Sequence, residues 1–337
     1  MSDPLVGRAR IGNLEVSRLG LGAMVLTRSF GTPDPSESAA AFDAALDMGV
    51  NFVDTADSYG AGENEEFVGR RINGRRKSVV LATKFGLVAT RDGRTVVNGR
   101  PEYVQSACDQ SLRRLGVDHV DLYYQHRVDP DVPIAETVGA MADLVTAGKV
   151  RHLGLCEVDA DHLRIANSVH PIAALQSEWS LWARQVEADV LPAARELGVG
   201  VVAYSPLGRG FLTGTMNADT SFSPEDLRGN DPRLGGSNRR RNLDLVGRLR
   251  EMAEAMNATP AQLALAWLVS KGQDVVPIPG MERRRLLDEN VACLEIRLGV
   301  PAVEYLDSLF SPGAAAGDPD ETLLRGSSVI GSGGLQT

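Results

Sequence analysis

In the stretch NFVDTADSYG (51–60) a carboxylate and a phenol stand five residues apart at the end of an apolar run. VVLATKF (79–85) closes on Lys84, and VDLYYQH (120–126) closes on His126. The set Asp54, Tyr59, Lys84 and His126 suits proton transfer. A free phenol, with a pKa near ~10, is a poor acid at neutral pH. A lysine ammonium beside it stabilises the phenolate and lowers that value. A carboxylate beyond the lysine keeps the amine charged and fixes its direction. A neutral histidine can donate a hydrogen bond to an oxygen that is gaining charge. Each residue also has an ordinary reading: a strand-terminal Asp caps the next helix, a Tyr packs, and a Lys or His on a loop is solvated. No G-x-S-x-G elbow is present, so acyl transfer is not suggested.

Bringing four such groups together requires strands of matched parity, because side chains alternate across a strand. Phe52 and Asp54 share one face, as do Val80, Ala82 and Lys84, and Leu122, Tyr124 and His126. Each series puts apolar residues below and one ionisable residue at the carboxyl end, where barrel enzymes keep their chemistry. That recurrence at three neighbouring strands argues against coincidence. Five further apolar runs complete the rhythm: RLGLGAM (18–24), VRHLGLCEV (150–158), AALQSEWS (173–180), GVGVVAYSP (198–206) and VVPIPG (275–280). Most are continuous rather than alternating, as in parallel strands covered on both faces.

Helical patterns fill the gaps. Asp34-Pro35 opens one, with Phe42, Ala45 and Leu46 on one face, and Thr259-Pro260 opens PAQLALAWLV, where Leu263, Ala266 and Trp267 share a face. Gly49, Gly116, Gly148 and Gly198 sit where a left-handed residue ends a helix. Strand–helix alternation repeated eight times predicts an α/β fold, a (β/α)8 TIM barrel, as one domain over 1–337. An open doubly wound sheet is the alternative. Outside the rhythm, RARIGNLEV (8–16) reads as an N-terminal β-hairpin closing the barrel floor. Residues 214–241 read as a polar lid, extra helical and loop segments follow the barrel, and a mobile tail is expected from about residue 325.

Of 337 residues, 43% are hydrophobic, enough for a large core, and the formal net charge of −9 argues against nucleic acid or an anionic membrane as partner. Cys108, Cys156 and Cys293 lack the spacing of a disulfide framework or zinc site, which suits a reducing compartment. MSDPLVGRAR has no apolar targeting core, and no run approaches the ~20 apolar residues of a membrane span. A cytoplasmic protein is expected, with a homo-oligomer left open.

NFVDTADSYG, LATKFG, DLYYQHRVD and VVPIPG resemble the strand-end motifs of the aldo-keto reductases, collinearly from about residue 8 to residue 311. GENEEFVG, ALQSEWSLWAR, YSPLGRGFLTG and the ENVA at 290 resemble the branch containing perakine reductase and related plant and bacterial enzymes. The resemblance implies NADP(H)-dependent reduction of aldehydes and ketones. It implies Tyr59 as proton donor, Lys84 and Asp54 as its tuning pair, and His126 as the group that orients the carbonyl.

The last two strands point independently to an anion site. After the seventh, Gly208 and Gly210 let backbone amides approach a phosphate; after the eighth, PIPGMERRRLLDENVA opens a helix with three arginines in its first turns. Cations there oppose the macrodipole unless an anion lies between, although pairing with Glu282, Asp288 and Glu289 is the plain alternative. The resemblance implies that Arg283 grips a 2′-phosphate, that Glu289 and Asn290 meet the adenine, and that Tyr204 stacks on the nicotinamide with Gln176 at its carboxamide. It likewise assigns Ser205, Pro206, Leu207, Gly208, Arg209 and Gly210 to the pyrophosphate, and Met24, Pro279, Gly280 and Met281 to the same cofactor. Two departures weaken cofactor contacts. Cys156 replaces a serine of the family pattern, a weaker donor, and Met281 replaces a residue bearing a hydroxyl. Leu286 stands at a commonly polar position, with Arg285 able to compensate.

Two other functions compete: a cofactor-binding regulatory subunit of an ion channel, and a metal-dependent hydrolase using Asp54, Asp57 and His126. No metal is expected. His119, His152, His162 and His170 read as structural, while Trp179 and Trp182 read as either a wall of the substrate pocket or rim packing. Val25, Leu26, Arg28, Phe30 and Arg127 would shape that pocket, and a hydrophobic carbonyl compound is the expected substrate.

Overall fold

The computed structural model describes residues 6–27, 31, 33–90, 94–223 and 226–317. Arg28, Phe30 and the tail from about 325 lie outside the described residues. The eight apolar runs form one parallel sheet from β3 (Leu21–Gly22), β4 (Phe52–Asp54), β5 (Val80–Phe85), β8 (Val120–Gln125), β9 (Val150–Cys156), β10 (Ile172–Glu178), β11 (Gly200–Tyr204) and β12 (Val275–Pro277). Its spatial order follows the chain, from β3 at one end to β12 at the other. The ends meet: Gly20 N donates to Pro277 O at 3.0 Å and Gly22 N to Pro279 O at 3.1 Å. Only glycine permits this approach, since a Cβ on Gly22 would lie 2.6 Å from the Ile278 carbonyl oxygen. The sheet is thus a (β/α)8 TIM-type barrel, and the open-sheet alternative fails at this seam.

Parity along the strands sorts the core into two shells. Phe52, Ala82, Leu122, Tyr124, Cys156, Ala174, Val202 and Val276 pack inside the barrel. The residues between them, such as Val53, Leu81, Tyr123, Leu155 and Val201, pack outward against the helices. Fully burying one such large apolar side chain contributes about 1.5–3 kcal/mol, which pins each strand's register. The N-terminal hairpin, β1 (Arg8–Ile11) and β2 (Leu14–Ser17), turns at Gly12-Asn13 and drives Ala9, Ile11, Leu14 and Val16 into the interior shell. It plugs the floor, as its position and alternation predict.

Around the sheet lie α1 (Pro35–Asp47), α2 (Glu63–Ile72), α3 (Pro101–Leu115), α4 (Ile134–Thr146), α5 (Ala160–Val169) and α6 (Val190–Glu196). They are followed by α7 (Gly236–Ala255), α8 (Pro260–Ser270), α9 (Arg284–Val291) and α10 (Val300–Leu309). Asp34 caps α1 through the amides of Ser36 and Glu37, and Thr259 with Gln262 forms a capping box on α8. Gly49, Gly116, Gly148 and Gly198 all have positive φ. Two features depart from the expected rhythm. A small hairpin, β6 (Leu87–Ala89) with β7 (Thr95–Val97), follows β5, and residues 236–241 of the expected lid are the first turns of α7. The rest of that lid, where it is described, is anchored. Asp231 and Arg233 are fully buried, and Arg233 Nη1 reaches Glu178 Oε1 at 2.9 Å. No described helix is long and apolar enough to cross a membrane.

Candidate active site

The carboxyl ends of β4, β5 and β8 bring the four predicted groups together. Lys84 Nζ donates to Asp54 Oδ1 at 2.5 Å, to the Thr55 carbonyl at 2.8 Å and to Tyr59 Oη at 3.3 Å. Asp54 is held from its other side by Gln176 Nε2, 2.8 Å from Oδ2. The amine also sits 5.0 Å from the Tyr59 ring centroid. The His126 ring meets that of Tyr59 edge-on, with centroids 6.0 Å apart. His126 Nδ1 is buried without a partner.

Local structure explains how the phenol comes back over the lysine. Tyr59 opens a turn in which Gly60, Ala61 and Gly62 all adopt left-handed φ values of 59°, 52° and 99°. Ala61 has no glycine freedom there, so surrounding contacts hold the strain. Thr55 donates to Asn64 Oδ1 at 2.6 Å, and Asn64 Nδ2 reaches the Ala23 carbonyl at 2.8 Å, tying the start of α2 to the end of β3. Below, Glu65 accepts from Thr83 Oγ1 and from Arg114 Nε, each at 2.6 Å.

Burial and charge set the protonation states. Burial opposes charge on Lys84, but Asp54 and Tyr59 outweigh it and hold the amine above its ordinary pKa. Burial, reinforced by Arg127 and Lys84, keeps His126 well below the ordinary histidine value and therefore neutral, as expected. Tyr59 departs from expectation. Burial pushes the phenol up and Lys84 only partly offsets it, so the net direction is upward rather than down. The cause is that desolvating a phenolate costs more than one already-paired ammonium returns.

These groups open into a cavity of about 1010 Å³ at the carboxyl end of the barrel. That is the upper range for a small-molecule site. Of the sequence-derived residues, Met24, Asp54, Tyr59, His126, Gln176, Tyr204, Ser205, Pro206, Leu207, Arg209 and Gly210 line it. So do Pro279, Gly280, Arg283, Glu289 and Asn290 on the opposite arm. Lys84 stands behind Asp54 and Tyr59. Cys156 is buried in the interior shell, and burial pushes its thiol up to about 12. Met281 is fully buried in the outer core, and Gly208 packs against Trp182, which a Cβ would meet at 2.6 Å. None of these four is among the lining residues.

The loop after β11 is a tight left-handed turn, with Gly208, Arg209 and Gly210 at φ 56°, 56° and 90°. Ser205 is also left-handed, at 47°. Arg209 is drawn away by Asp231 and Glu178. Near α9 the arginines have protein partners: Arg283 with Glu37 at 3.3 Å, Arg284 with Asp288 at 2.8 Å and Arg285 with Glu289 at 3.5 Å. The plain pairing alternative therefore accounts for Arg284 and Arg285, while Arg283 pairs across to α1 instead.

Sequence reasoning passed over Ser58, Leu87, Ser177, Glu178 and Arg228, which also line the cavity, and Glu157, whose φ of 48° is left-handed. Glu157 follows Cys156 at a strand end, which was the available signal. Val25 and Arg127 line the cavity as expected, whereas Leu26 is core. Trp179 is fully buried against Trp267, and Trp182 stacks on Phe211; both are packing rather than wall. His119, His152, His162 and His170 lie off the cavity. Asp57 faces Glu65 and Arg114, and the described residues contain no group of three or more His, Cys, Asp or Glu placed to hold a metal ion.

A parallel barrel with an acid–base cluster at its carboxyl end, opening into a long cleft, has the form of a barrel enzyme. The family model of the aldo/keto reductase family matches residues 18–310. A probable aldo-keto reductase 1 from Glycine max is 44% identical over 286 residues, covering 84% of this chain and 82% of its own. The glycerol dehydrogenase AKR11B4 from Gluconobacter oxydans superposes with a TM-score of 0.83 at 30% identity, over 95% of this chain and 98% of that one. The holo form of aldo-keto reductase AKR11C1 from Bacillus halodurans gives 0.75 at 27% identity, over 92% and 98%. The chain belongs to the aldo/keto reductase family.

Proposed function

We propose that this protein reduces aldehydes and ketones with NADPH, Tyr59 donating the proton. The single observation that carries the reading is Lys84 Nζ, bound to Asp54 at 2.5 Å and still within 3.3 Å of the Tyr59 hydroxyl. The cofactor, when bound, supplies a hydride to the carbonyl carbon. The rest falls to the chain. His126, neutral and lining the cavity, donates to the carbonyl oxygen and orients it. As that oxygen becomes an alkoxide, Tyr59 Oη gives up its proton, and the resulting phenolate is held by the Lys84 ammonium. An upward-shifted phenol suits this order of events: it stays protonated until a much stronger base, the alkoxide, forms beside it.

The residues present fit a dinucleotide. The cavity runs from Tyr59 past Tyr204 to Asn290, with glycine at 22 and 280 where strand ends crowd it; a Cβ on Gly280 would lie 2.6 Å from Val25. Tyr204 and Gln176 would hold the nicotinamide end, the 205–210 turn the pyrophosphate, and Glu289 with Asn290 the adenine. Arg283 and Arg285, both exposed, would take a 2′-phosphate in exchange for Glu37 and Glu289, which favours NADP over NAD. Three free, buried thiols support a reducing compartment, the cytoplasm, as its place of work.

A panel of carbonyl substrates followed by loss of nicotinamide absorbance, with NADPH and NADH in parallel, tests the reading. Turnover should be faster with NADPH. Tyr59→Phe should cut kcat by roughly 10²- to 10⁴-fold while NADPH still binds. Wild-type rates in Tyr59→Phe would overturn the proton-donor assignment. NADPH binding without turnover of any carbonyl would favour a regulatory cofactor-binding role.

A further inference from the structure

Tyr59 reaches Lys84 on a turn that carries strain, since Ala61 holds a left-handed φ of 52° without the freedom of glycine. The phenol oxygen lies 3.3 Å from Lys84 Nζ, the longest of the three hydrogen bonds the amine makes. That separation decides how well a phenolate at Tyr59 is compensated, and a misplacement of ~1 Å near reacting atoms can lower a rate about 10²-fold. Asp57 N donates to the Lys84 carbonyl at 3.1 Å, which fixes the chain before Tyr59 but not the turn after it. Asn64 ties the start of α2 to the Ala23 carbonyl at 2.8 Å and to Thr27 Oγ1 at 2.9 Å. Neither of these last two contacts involves β5, the strand that carries the lysine.

Glu65 makes that connection on the outer face of the barrel. It stands in the first turn of α2, fully buried, with both carboxylate oxygens engaged. Oε1 accepts from Thr83 Oγ1 at 2.6 Å, and Thr83 is the residue before Lys84 in β5. Oε2 accepts from Arg114 Nε at 2.6 Å; Arg114 belongs to α3, where its Nη2 also donates to Ser111 Oγ at 3.3 Å. Two glycines, about two helical turns apart, let α2 lie close against the end of α3. A Cβ on Gly62 would lie 2.5 Å from Arg114 Cδ, and one on Gly69 would lie 2.4 Å from the Leu115 carbonyl oxygen. Gly62 also ends the turn that Tyr59 begins. Arg114 therefore touches the turn through its stem and holds Glu65 through its head.

We propose that Glu65 is a positioning residue for the reaction: by joining the start of α2 to β5 and α3, it sets the distance between the Tyr59 hydroxyl and the Lys84 amine. It does so from outside the site, since Glu65, Thr83 and Arg114 are not among the residues lining the cavity. A buried carboxylate gives up a partner only at high cost, so its two bonds act as a strut of fixed length. Without the Thr83 bond, α2 and the Tyr59 turn are free to shift against β5, and the strain at Ala61 favours the shift. A displaced phenol meets the nascent alkoxide in poorer geometry and leaves its own phenolate further from the ammonium. Proton transfer from Tyr59 then slows, while the residues that hold cofactor and substrate keep their places.

This assignment rests on the reductase reading, and the test separates the two. With 4-nitrobenzaldehyde and NADPH, Glu65→Gln should lower kcat and kcat/KM together by roughly 10- to 100-fold. KM and the NADPH Kd should stay within about twofold of wild type, as for an interaction that matters only in the transition state. The solvent deuterium isotope effect on kcat should rise, because transfer of the Tyr59 proton becomes the slow step. An ion pair that served packing alone would lower the melting temperature and the active fraction but leave the isotope effect at its wild-type value, and that result overturns the proposal. Should Glu65→Gln fail to fold, Thr83 decides, because Thr83→Val removes one hydroxyl and no charge. Thr83→Val should lower kcat roughly 3- to 10-fold with the same rise in isotope effect. Thr83→Ser, which keeps the hydroxyl, should return both to within about twofold of wild type. Wild-type kcat in Thr83→Val, or a Thr83→Ser no faster than Thr83→Val, overturns the assignment and leaves the reductase reading standing. A wild type that reduces neither 4-nitrobenzaldehyde nor any other carbonyl overturns both.

Discussion

Tyr59 and Asp57 lie two residues apart, and burial acts on both in the same direction with different consequences. For Tyr59, Lys84 supplies a partner for the phenolate, so burial delays ionisation without forbidding it. Asp57 has no such partner: its Oδ1 is buried and unbonded, while Arg114 is already committed to Glu65. Burial first, then the Glu65 carboxylate, push the Asp57 carboxyl up to about 8, against the pull of Arg114 and Lys84. The folded state thus binds a proton that the unfolded chain releases near pH ~4. Stability contributed by protonated Asp57 is present below that value and is lost as pH rises towards 8. Asp57→Asn should therefore gain thermal stability over wild type progressively between pH 5 and pH 8, as read by melting curves at each pH. A difference independent of pH would show that Asp57 is ionised throughout.

At the level of elements, the site depends on how β3 and β12 close the barrel. Both strands are very short, and the seam is made by two backbone hydrogen bonds from Gly20 and Gly22. Gly22 lines the cavity as well, so the contact that closes the sheet also shapes the floor of the cleft. Gly22→Ala should force the β12 backbone away. A loss of about 1–3 kcal/mol in urea unfolding is expected, together with weaker NADPH binding, because Pro279 and Gly280 move with it. Unchanged binding at reduced stability would show that the seam and the cleft are mechanically separate. The strand ends were readable in advance because parity is local: Phe52 inside obliges Asp54 inside. The β6–β7 hairpin was not readable, because its residues alternate too briefly to be told from a loop.

Across the whole molecule, the segment between β11 and α7 is fastened by a network rather than left as a flap. Arg209 and Arg233 share Asp231 and Glu178, joining the end of β10, the turn after β11 and the segment leading to α7. Arg233 is fully buried over the Trp182 ring, 5.0 Å from its centroid. Removing one cation from such a cluster leaves carboxylates uncompensated in a dry place. Arg233→Met should therefore cost about 3–5 kcal/mol. Limited chymotrypsin digestion should also gain cuts near Phe222 and Leu227. Loss of stability without new cuts would mean that the segment is held by its apolar contacts alone.

The residues by themselves determined the eight strands of the barrel, the face each presents, the meeting of Asp54, Tyr59, Lys84 and His126 and part of the cleft lining, because periodicity and strand-end chemistry are properties of neighbours in the chain. Tertiary structure alone decided the rest. It raised the phenol's pKa, paired Arg283 with Glu37 across to α1, and took Cys156 and Met281 off the cavity surface. Those outcomes depend on burial and on distances between residues far apart in sequence, and neither quantity is written in any one stretch of the chain.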